Sequence, residues 1–227
     1  MEIASTGLNL EFLGHSGFLI ESKEGKTIAI DPYNLSDNAS KKKADLILIT
    51  HDHYDHCSIK DIVKLSKAGT IIVVPADAQS KITRVEGVEM QIIEIGDKLE
   101  FGGIKVEALP AYNIESDFHP KRDGCMGFLI KIGTCAIYHS GDTDKIPEME
   151  RLTGHGKHGS EFVALLPVSG QVTMDAEQAV EVASLLSPDL VIPMHYGAGV
   201  AGSLEDAQRF VSTCKDLGLK AEILERI

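Results

Sequence analysis

The feature that most constrains this chain is the histidine-rich segment THDHYDH at residues 50–56. It follows an almost continuous apolar run, DLILIT at residues 45–50, which is typical of a β-strand buried on both faces. Imidazole nitrogens and carboxylate oxygens are the donors that a divalent ion such as zinc prefers. A loop at the end of a strand can turn alternate side chains toward one point, which a regular helix does not do at this spacing. The segment therefore predicts a metal site; the alternative is a polar loop with coincidental histidines.

Two later segments are candidates for further ligands. HSGDTD begins at His139 after a predicted strand, and PMHYG contains His195 after another. Four ligands from a single loop rarely complete a catalytic metal site. Further ligands are therefore expected from the ends of distant strands. Asp142 could bridge two metals, and His195 could bind one. Either residue alone is more typical of a turn or a helix cap.

The predicted elements form two similar halves, each a run of strands followed by alternating strands and helices. The first half has predicted strands at 8–13, 17–21, 27–31, 45–50 and 71–74, and helices at 58–68 and 76–82. The second half has predicted strands at 90–95, 98–101, 104–109, 127–132, 135–139, 162–166, 190–193 and 221–224, and helices at 175–186 and 203–216. Two such halves, packed sheet on sheet with helices outside, predict an α/β protein with a four-layer αββα sandwich. We expect one domain over residues 1–227.

Composition excludes several classes of protein. The 227 residues include 22 Lys or Arg and 34 Asp or Glu, for a net charge of −12, so the chain lacks the basic surface that nucleic-acid binding needs. No apolar run approaches the roughly 20 residues that span a bilayer. The N-terminus does not resemble a signal peptide, and the four cysteines are scattered. These features predict a cytoplasmic protein with reduced thiols and a small-molecule substrate, independent of nucleic acid and membrane.

Three segments, THDHYDH, HSGDTD and PMHYG, resemble the metallo-β-lactamase superfamily in their order and spacing. The opening FLGHSGFLIE and the IDP at residues 30–32 resemble its branch of small stand-alone hydrolases. That branch includes ascorbate-phosphate lactonases and relatives of the tRNA 3′-processing phosphodiesterases. The resemblance covers essentially the whole chain. It implies an αββα sandwich that holds one or two metal ions.

The resemblance also implies a ligand set divided between two metal ions. It places His51 and His53 at the first ion, Asp55, His56 and His195 at the second, and Asp142 between them. Asp31 would anchor the loop that carries the histidines.

One departure from the family's pattern concerns the first metal. Relatives usually have a third histidine where this chain has LPAYN at residues 109–113, which offers Asn113 instead. His119 follows six residues later, and we expect it to fold back and supply the missing ligand. The alternative is a surface-loop His119, with Asn113 or water completing a weaker site.

Three other histidines have open roles. His15, in GHSGF, is either a cleft residue or a turn histidine. His155 and His158, in GHGKHG, indicate a loop.

The implied chemistry is hydrolysis. Two divalent ions, zinc first with Mn²⁺ or Fe²⁺ as alternatives, would provide a metal-bound hydroxide oriented by Asp55. It would cleave a small ester, phosphodiester or lactone, and an anionic substrate is compatible with the metal charge. His119, Tyr196 and metal-bound water are candidate proton donors for the leaving group. The alternative function is a mono-iron persulfide dioxygenase-like oxidoreductase, which shares the His-rich motif. Homo-oligomerisation stays open.

Overall fold

The structure is a computed structural model that describes residues 1–3, 6–114, 116–156 and 159–227. These residues form two compact units, Met1–Glu94 with Leu224–Ile227, and Ile95–Ile223. None of the helices within the described ranges is long and apolar enough to cross a membrane. The expectation of one domain over residues 1–227 stays a prediction.

The first unit contains a seven-stranded mixed sheet whose strands lie in chain order. Its strands are β1 (Glu2–Ile3), β2 (Leu8–Gly14), β3 (Gly17–Glu21), β4 (Thr27–Ile30), β5 (Leu46–Leu48), β6 (Ile71–Val74) and β7 (Glu89–Ile92). Strands β1 to β4 pair antiparallel, and β4 to β7 pair parallel. The carboxyl ends of β4 and β5 therefore lie at the same edge of the sheet, and so do the loops that follow them.

Two helices belong to the first unit, α1 (Ile59–Leu65) and α2 (Gln79–Ile82). In α1, Ile62 and Leu65 pack in one apolar cluster with Ile47 of β5 and Ile72 of β6. All three residues of β5 are at most 1% exposed. The predicted strand buried on both faces is therefore present, and it ends just before the His-rich segment.

The second unit contains a six-stranded mixed sheet in the order β13-β12-β11-β10-β9-β8. Its strands are β8 (Lys98–Phe101), β9 (Ile104–Pro110), β10 (Met126–Ile132), β11 (Cys135–His139), β12 (Glu161–Pro167) and β13 (Leu190–Met194). Strands β8 to β11 pair antiparallel, and β11 to β13 pair parallel. Each unit thus has an antiparallel run followed by parallel strands, as the two-halves prediction requires.

The helices of the second unit are α3 (Ala176–Leu186) and α4 (Leu204–Asp216), and both begin with a capping box. Asp175 caps α3 by accepting a hydrogen bond from the backbone N–H of Gln178, which pairs a donor that the first turn would otherwise leave without a helical partner. The sequence predicted α3 and its cap correctly.

Three predicted elements differ from the structure. The strand predicted at 90–95 in the second half is β7, the parallel edge strand of the first sheet, because the crossover through α2 returns the chain beside β6. The strand predicted at 221–224 is absent from the described residues: Ala221 forms a single bridge to Val191, and the chain then joins the first unit. The helix predicted at 76–82 is a 3₁₀ turn, Ala76–Ala78, followed by α2.

Candidate metal centre

The His-rich loop after β5 places its histidines side by side in the first unit. The ring centroids of His51 and His56 are 4.1 Å apart, and those of His51 and His53 are 4.6 Å apart. The Nε2 atom of His56 lies 3.7 Å from Oδ2 of Asp55. The four candidates of this loop, His51, His53, Asp55 and His56, therefore lie close together, as expected for metal ligands.

Asp31, directly after β4, holds the start of this loop by hydrogen bonds. Its two carboxylate oxygens accept hydrogen bonds from the backbone N–H of Thr50 at 2.9 Å and from the Thr50 hydroxyl at 2.6 Å. Oδ2 also lies 2.8 Å from Nδ1 of His56. These contacts arise because β4 and β5 are parallel neighbours whose carboxyl ends meet.

The same hydrogen bonds determine where two imidazoles carry their protons. An ionised carboxylate only accepts hydrogen bonds, so Nδ1 of His56 donates to Asp31. The single hydroxyl proton of Thr50 also points at Asp31, so the Thr50 oxygen accepts from Nδ1 of His51, 2.9 Å away. In both rings the lone pair is therefore on Nε2, the form that binds a metal.

His15 lies in the β2–β3 turn and belongs to the same cluster. It is 1% exposed, and its Nε2 lies 2.9 Å from Oδ2 of Asp55. Its ring packs edge-on against His56 and Tyr33. His15 is thus a turn histidine that contacts Asp55, and the cleft role considered for it stays a prediction.

The sequence reasoning missed two contacts of the His-rich loop. Lys81 of α2 binds the backbone carbonyl oxygen of Asp52 and forms an ion pair with its carboxylate at 3.1 Å. Tyr33 stacks edge-on with Tyr54, which is 64% exposed. The only sequence signal for Lys81 was its place on a short predicted helix, whereas Tyr33 directly follows the IDP segment.

The second unit brings together the three remaining candidates. Oδ2 of Asp142 lies 3.0 Å from Nε2 of His195 and 3.7 Å from Nε2 of His119. All three residues are at most 2% exposed. Asp142 follows β11 and His195 follows β13, so the parallel pairing of β11, β12 and β13 places these two residues at one edge.

His119 reaches this edge because the segment after β9 folds back on itself. The backbone N–H of Asn113 donates to the carbonyl oxygen of His119 at 2.8 Å. The Nδ1 atom of His119 lies 3.0 Å from Oδ1 of Asn113 and 3.1 Å from the carbonyl oxygen of Val172. His119 is thus buried next to Asp142, whereas a surface-loop histidine would be exposed.

Three residues of the two clusters have a left-handed backbone. The φ angles of His15, Asp31 and His195 are 56°, 41° and 60°. Non-glycine residues rarely adopt this conformation, and such strain is concentrated at functional sites. At His195, the strained backbone lies at the junction between β13 and the loop that follows.

The remaining histidines and Tyr196, also considered in the sequence analysis, have other contacts or environments. His139 accepts a hydrogen bond from the backbone N–H of Gly141 at 3.2 Å and so supports the turn before Asp142. His155 packs edge-on against Phe162, and His158 lies outside the described residues. Burial raises the pKa of Tyr196 to about 12, so its phenol keeps its proton at neutral pH.

The donor chemistry of both clusters fits divalent cations. Zinc binds imidazole nitrogen and carboxylate oxygen at about 2.0–2.2 Å, so neighbouring ligand atoms of a tetrahedral site lie about 3.3 Å apart. The distances from Nε2 of His56 to Asp55, and from Nε2 of His119 and His195 to Asp142, are 3.0 to 3.7 Å and bracket that value. The described residues therefore include histidines and carboxylates whose ligand atoms lie close enough together to hold a metal ion. Their individual roles as ligands stay predictions.

The fold and the ligand clusters define a class of protein, and comparison with known families identifies it. Residues 9–195 match the family model described as the β-lactamase superfamily domain. A metallo hydrolase of the archaeon Ignicoccus hospitalis is similar in structure, with a TM-score of 0.76 and 28% identity over 96% of this chain and 95% of that one. The chain has the metallo-β-lactamase fold, and the predicted fold class and superfamily are confirmed.

Within this superfamily, the chain belongs to the UPF0173 metal-dependent hydrolase family. It is 36% identical over 201 residues to a member from Pelotomaculum thermopropionicum, covering 83% of this chain and 84% of the relative. It is 38% identical over 195 residues to a member from Thermoplasma acidophilum, covering 83% of each. The chain is accordingly a metal-dependent hydrolase.

Proposed function

We propose that the chain hydrolyses a small ester, phosphodiester or lactone with the help of two divalent cations. Zinc is the preferred cation, and Mn²⁺ and Fe²⁺ are the alternatives. The observation that carries this proposal is the contact at Nδ1 of His51 and of His56, with Thr50 and Asp31, in the first unit. Thr50 accepts the Nδ1 proton of His51 and Asp31 accepts that of His56, so both imidazoles present the Nε2 lone pair that a metal needs. A histidine cluster with only structural roles has no need for this shared orientation.

The proposed ligand sets follow the superfamily resemblance. The first ion would be held by His51, His53 and His119, the second by Asp55, His56 and His195, with Asp142 bridging. His119 is preferred to Asn113 because Oδ1 of Asn113 already accepts the backbone N–H of His119 at 3.1 Å. The contact of one Asp142 oxygen with two histidines supports the bridging role.

When bound, the cations would lower the pKa of water and polarise the bond to be cleaved. The protein's own residues orient the reactants. Asp55 is proposed to orient the attacking water, and the 2.9 Å contact with His15 holds its Oδ2 in place. Tyr196 is a candidate proton donor to the leaving group because it directly follows His195, although the raised pKa makes its phenol a weaker acid than usual. The two oxygen atoms that face Nδ1 of His119 support a ligand role for this residue over the acid role.

The proposed setting is the cytoplasm and the proposed partner is a small substrate. The net charge of −12 disfavours nucleic acid. Bound cations would nevertheless offset the carboxylates locally, so an anionic small molecule fits the proposal.

Metal analysis and an activity panel test the proposal together. We expect two divalent ions per chain, and hydrolysis of at least one phosphodiester, lactone or ester that stops after chelation and returns with zinc. His53→Ala and Asp142→Ala should abolish hydrolysis. His155→Ala is the matched control, because it removes a histidine that packs against Phe162, outside the proposed ligand sets.

Two outcomes would contradict the proposal. Full hydrolysis by the metal-free chain would remove the role of the cations. Iron in the purified protein together with oxygen uptake on glutathione persulfide would instead favour the oxidoreductase alternative.

A further inference from the structure

Asn113 stands where the superfamily resemblance implies a histidine, and its amide has contacts on both sides. The Nδ2 group lies 2.9 Å from Oδ1 of Asp144 and 2.9 Å from the carbonyl oxygen of Val172. Both atoms only accept hydrogen bonds, so the amide nitrogen must face them. The amide oxygen consequently faces the opposite way, toward His119.

The orientation of the amide determines the proton position on His119. Oδ1 of Asn113 accepts the backbone N–H of His119 at 3.1 Å and lies 3.0 Å from Nδ1 of the ring. The carbonyl oxygen of Val172 is a second acceptor, 3.1 Å from the same Nδ1. With two acceptors around it, Nδ1 carries the proton and Nε2 carries the lone pair. Nε2 is the atom 3.7 Å from Asp142.

Asp144 is itself held at both carboxylate oxygens. Oδ1 accepts the Asn113 amide, and Oδ2 accepts the backbone N–H of Ile114 at 2.7 Å. The backbone N–H of Asp144 donates to the carbonyl oxygen of Tyr112 at 3.0 Å. The carboxylate cannot rotate without breaking these bonds, so it determines which end of the amide faces His119.

We propose that Asn113 is a positioning residue that fixes His119 as its Nδ1-protonated tautomer, and that Asp144 fixes the orientation of the Asn113 amide. Asp144, acting through Asn113, thus leaves Nε2 of His119 available to bind a cation. The use of Nε2 as a ligand rests on the proposed function, whereas the tautomer does not. The asparagine that departs from the family's pattern would then support the substitute ligand instead of acting as one.

The first test compares Asn113→Ala with wild type in the full chain. Long-range ¹H–¹⁵N NMR of the chelated protein reports the tautomer of His119, with His119→Ala used to assign the signal. We expect an Nδ1-protonated ring in wild type and a mixture of tautomers in Asn113→Ala. Zinc affinity, measured by chelator competition, should fall by roughly 10- to 100-fold at one site, as for other partners of metal-bound histidines. Asn38→Ala, at an exposed asparagine, is the matched control and should change neither.

A charge exchange separates positioning from simple packing. Asn113→Asp alone places two carboxylates together and should lower zinc affinity. Adding Asp144→Asn restores one donor beside the new carboxylate, which still accepts from His119 but now also faces the carbonyl oxygen of Val172. We expect this pair to keep Nδ1 protonation and to recover part of the affinity. Asp144→Asn alone tests whether Asp144 fixes the orientation of the Asn113 amide. If Asn113→Ala does not fold, the His119 tautomer in Asp144→Asn is compared with wild type instead.

Several results would overturn the inference. One is an Nδ1-protonated His119 with wild-type zinc affinity in Asn113→Ala, even where the melting temperature falls. Another is a wild-type tautomer together with wild-type zinc affinity in Asp144→Asn. If His119→Ala binds zinc as wild type does, the ligand set of the proposed function fails, and the NMR comparison still decides the role of Asn113.

Discussion

Gly202 offers a test of how the backbone holds His195. Its φ angle is +76°, and a Cβ atom added there would lie 2.3 Å from the carbonyl oxygen of His195 and 3.0 Å from Cβ of Ser169. Gly199, in the same loop, also has a φ of +76°, but a Cβ there would meet nothing within 4 Å. The two glycines therefore share the same backbone requirement and differ in the space available.

Replacement of each glycine by alanine separates strain from collision. A left-handed alanine costs about 1–2 kcal/mol in either variant. In Gly202→Ala the carbonyl of His195 must also move by about 1 Å to reach a normal contact, and overpacking of this kind typically costs about 1–3 kcal/mol more. We therefore expect the free energy of unfolding of Gly202→Ala to be lower than that of Gly199→Ala by about 1–3 kcal/mol.

The displacement should also affect metal binding. A shift of His195 alters the 3.0 Å contact between its Nε2 and Asp142, so zinc affinity in Gly202→Ala should fall by roughly tenfold or more, with Gly199→Ala unchanged. Urea unfolding of the metal-free chain measures the first effect, and chelator competition measures the second. Equal stability of the two variants would refute the steric reasoning. A destabilised Gly202→Ala with unchanged zinc affinity would refute the link to His195.

Two further predictions concern the first unit. Burial alone would raise the pKa of the Asp61 carboxyl, but hydrogen bonds from Lys64, Ser58 and two backbone N–H groups hold it below its usual range. The ionised group thus stabilises the fold above the unfolded pKa of about 4, and this contribution is lost as pH falls through the lower folded pKa. Asp61→Asn should lower the free energy of unfolding by about 2–3 kcal/mol at pH 7. It should also reduce the loss of stability at acid pH, measured by urea unfolding as a function of pH. The exposed Asp37→Asn should do neither, and an unchanged loss of stability at acid pH in Asp61→Asn would contradict the assignment. Burial raises the pKa of the Cys57 thiol to about 12, so only about one molecule in 10⁴ is a thiolate at pH 8. Native Cys57 should therefore resist iodoacetamide in peptide mass spectrometry and react after denaturation; rapid labelling of the native chain would disprove its burial.

Much of the fold was predictable because it depends on local patterns. The run DLILIT indicated a strand buried on both faces, and β5 has that burial. Asp175 and the following apolar pattern indicated α3. The 90–95 strand was assigned to the wrong half because its sheet partner is β6, and pairing between strands is not a local property.

The candidate site divides in the same way. The sequence by itself determined the donor types and the strand ends that carry them, because imidazoles and carboxylates after buried strands form a local signal. Only the tertiary structure decided which atoms meet. Asp31 contacts His56 across 25 positions of the chain, and Asn113 contacts Val172 across 59. Those contacts determine the orientation of each ring, since an imidazole takes its tautomer from the neighbour that folding places at its Nδ1 atom.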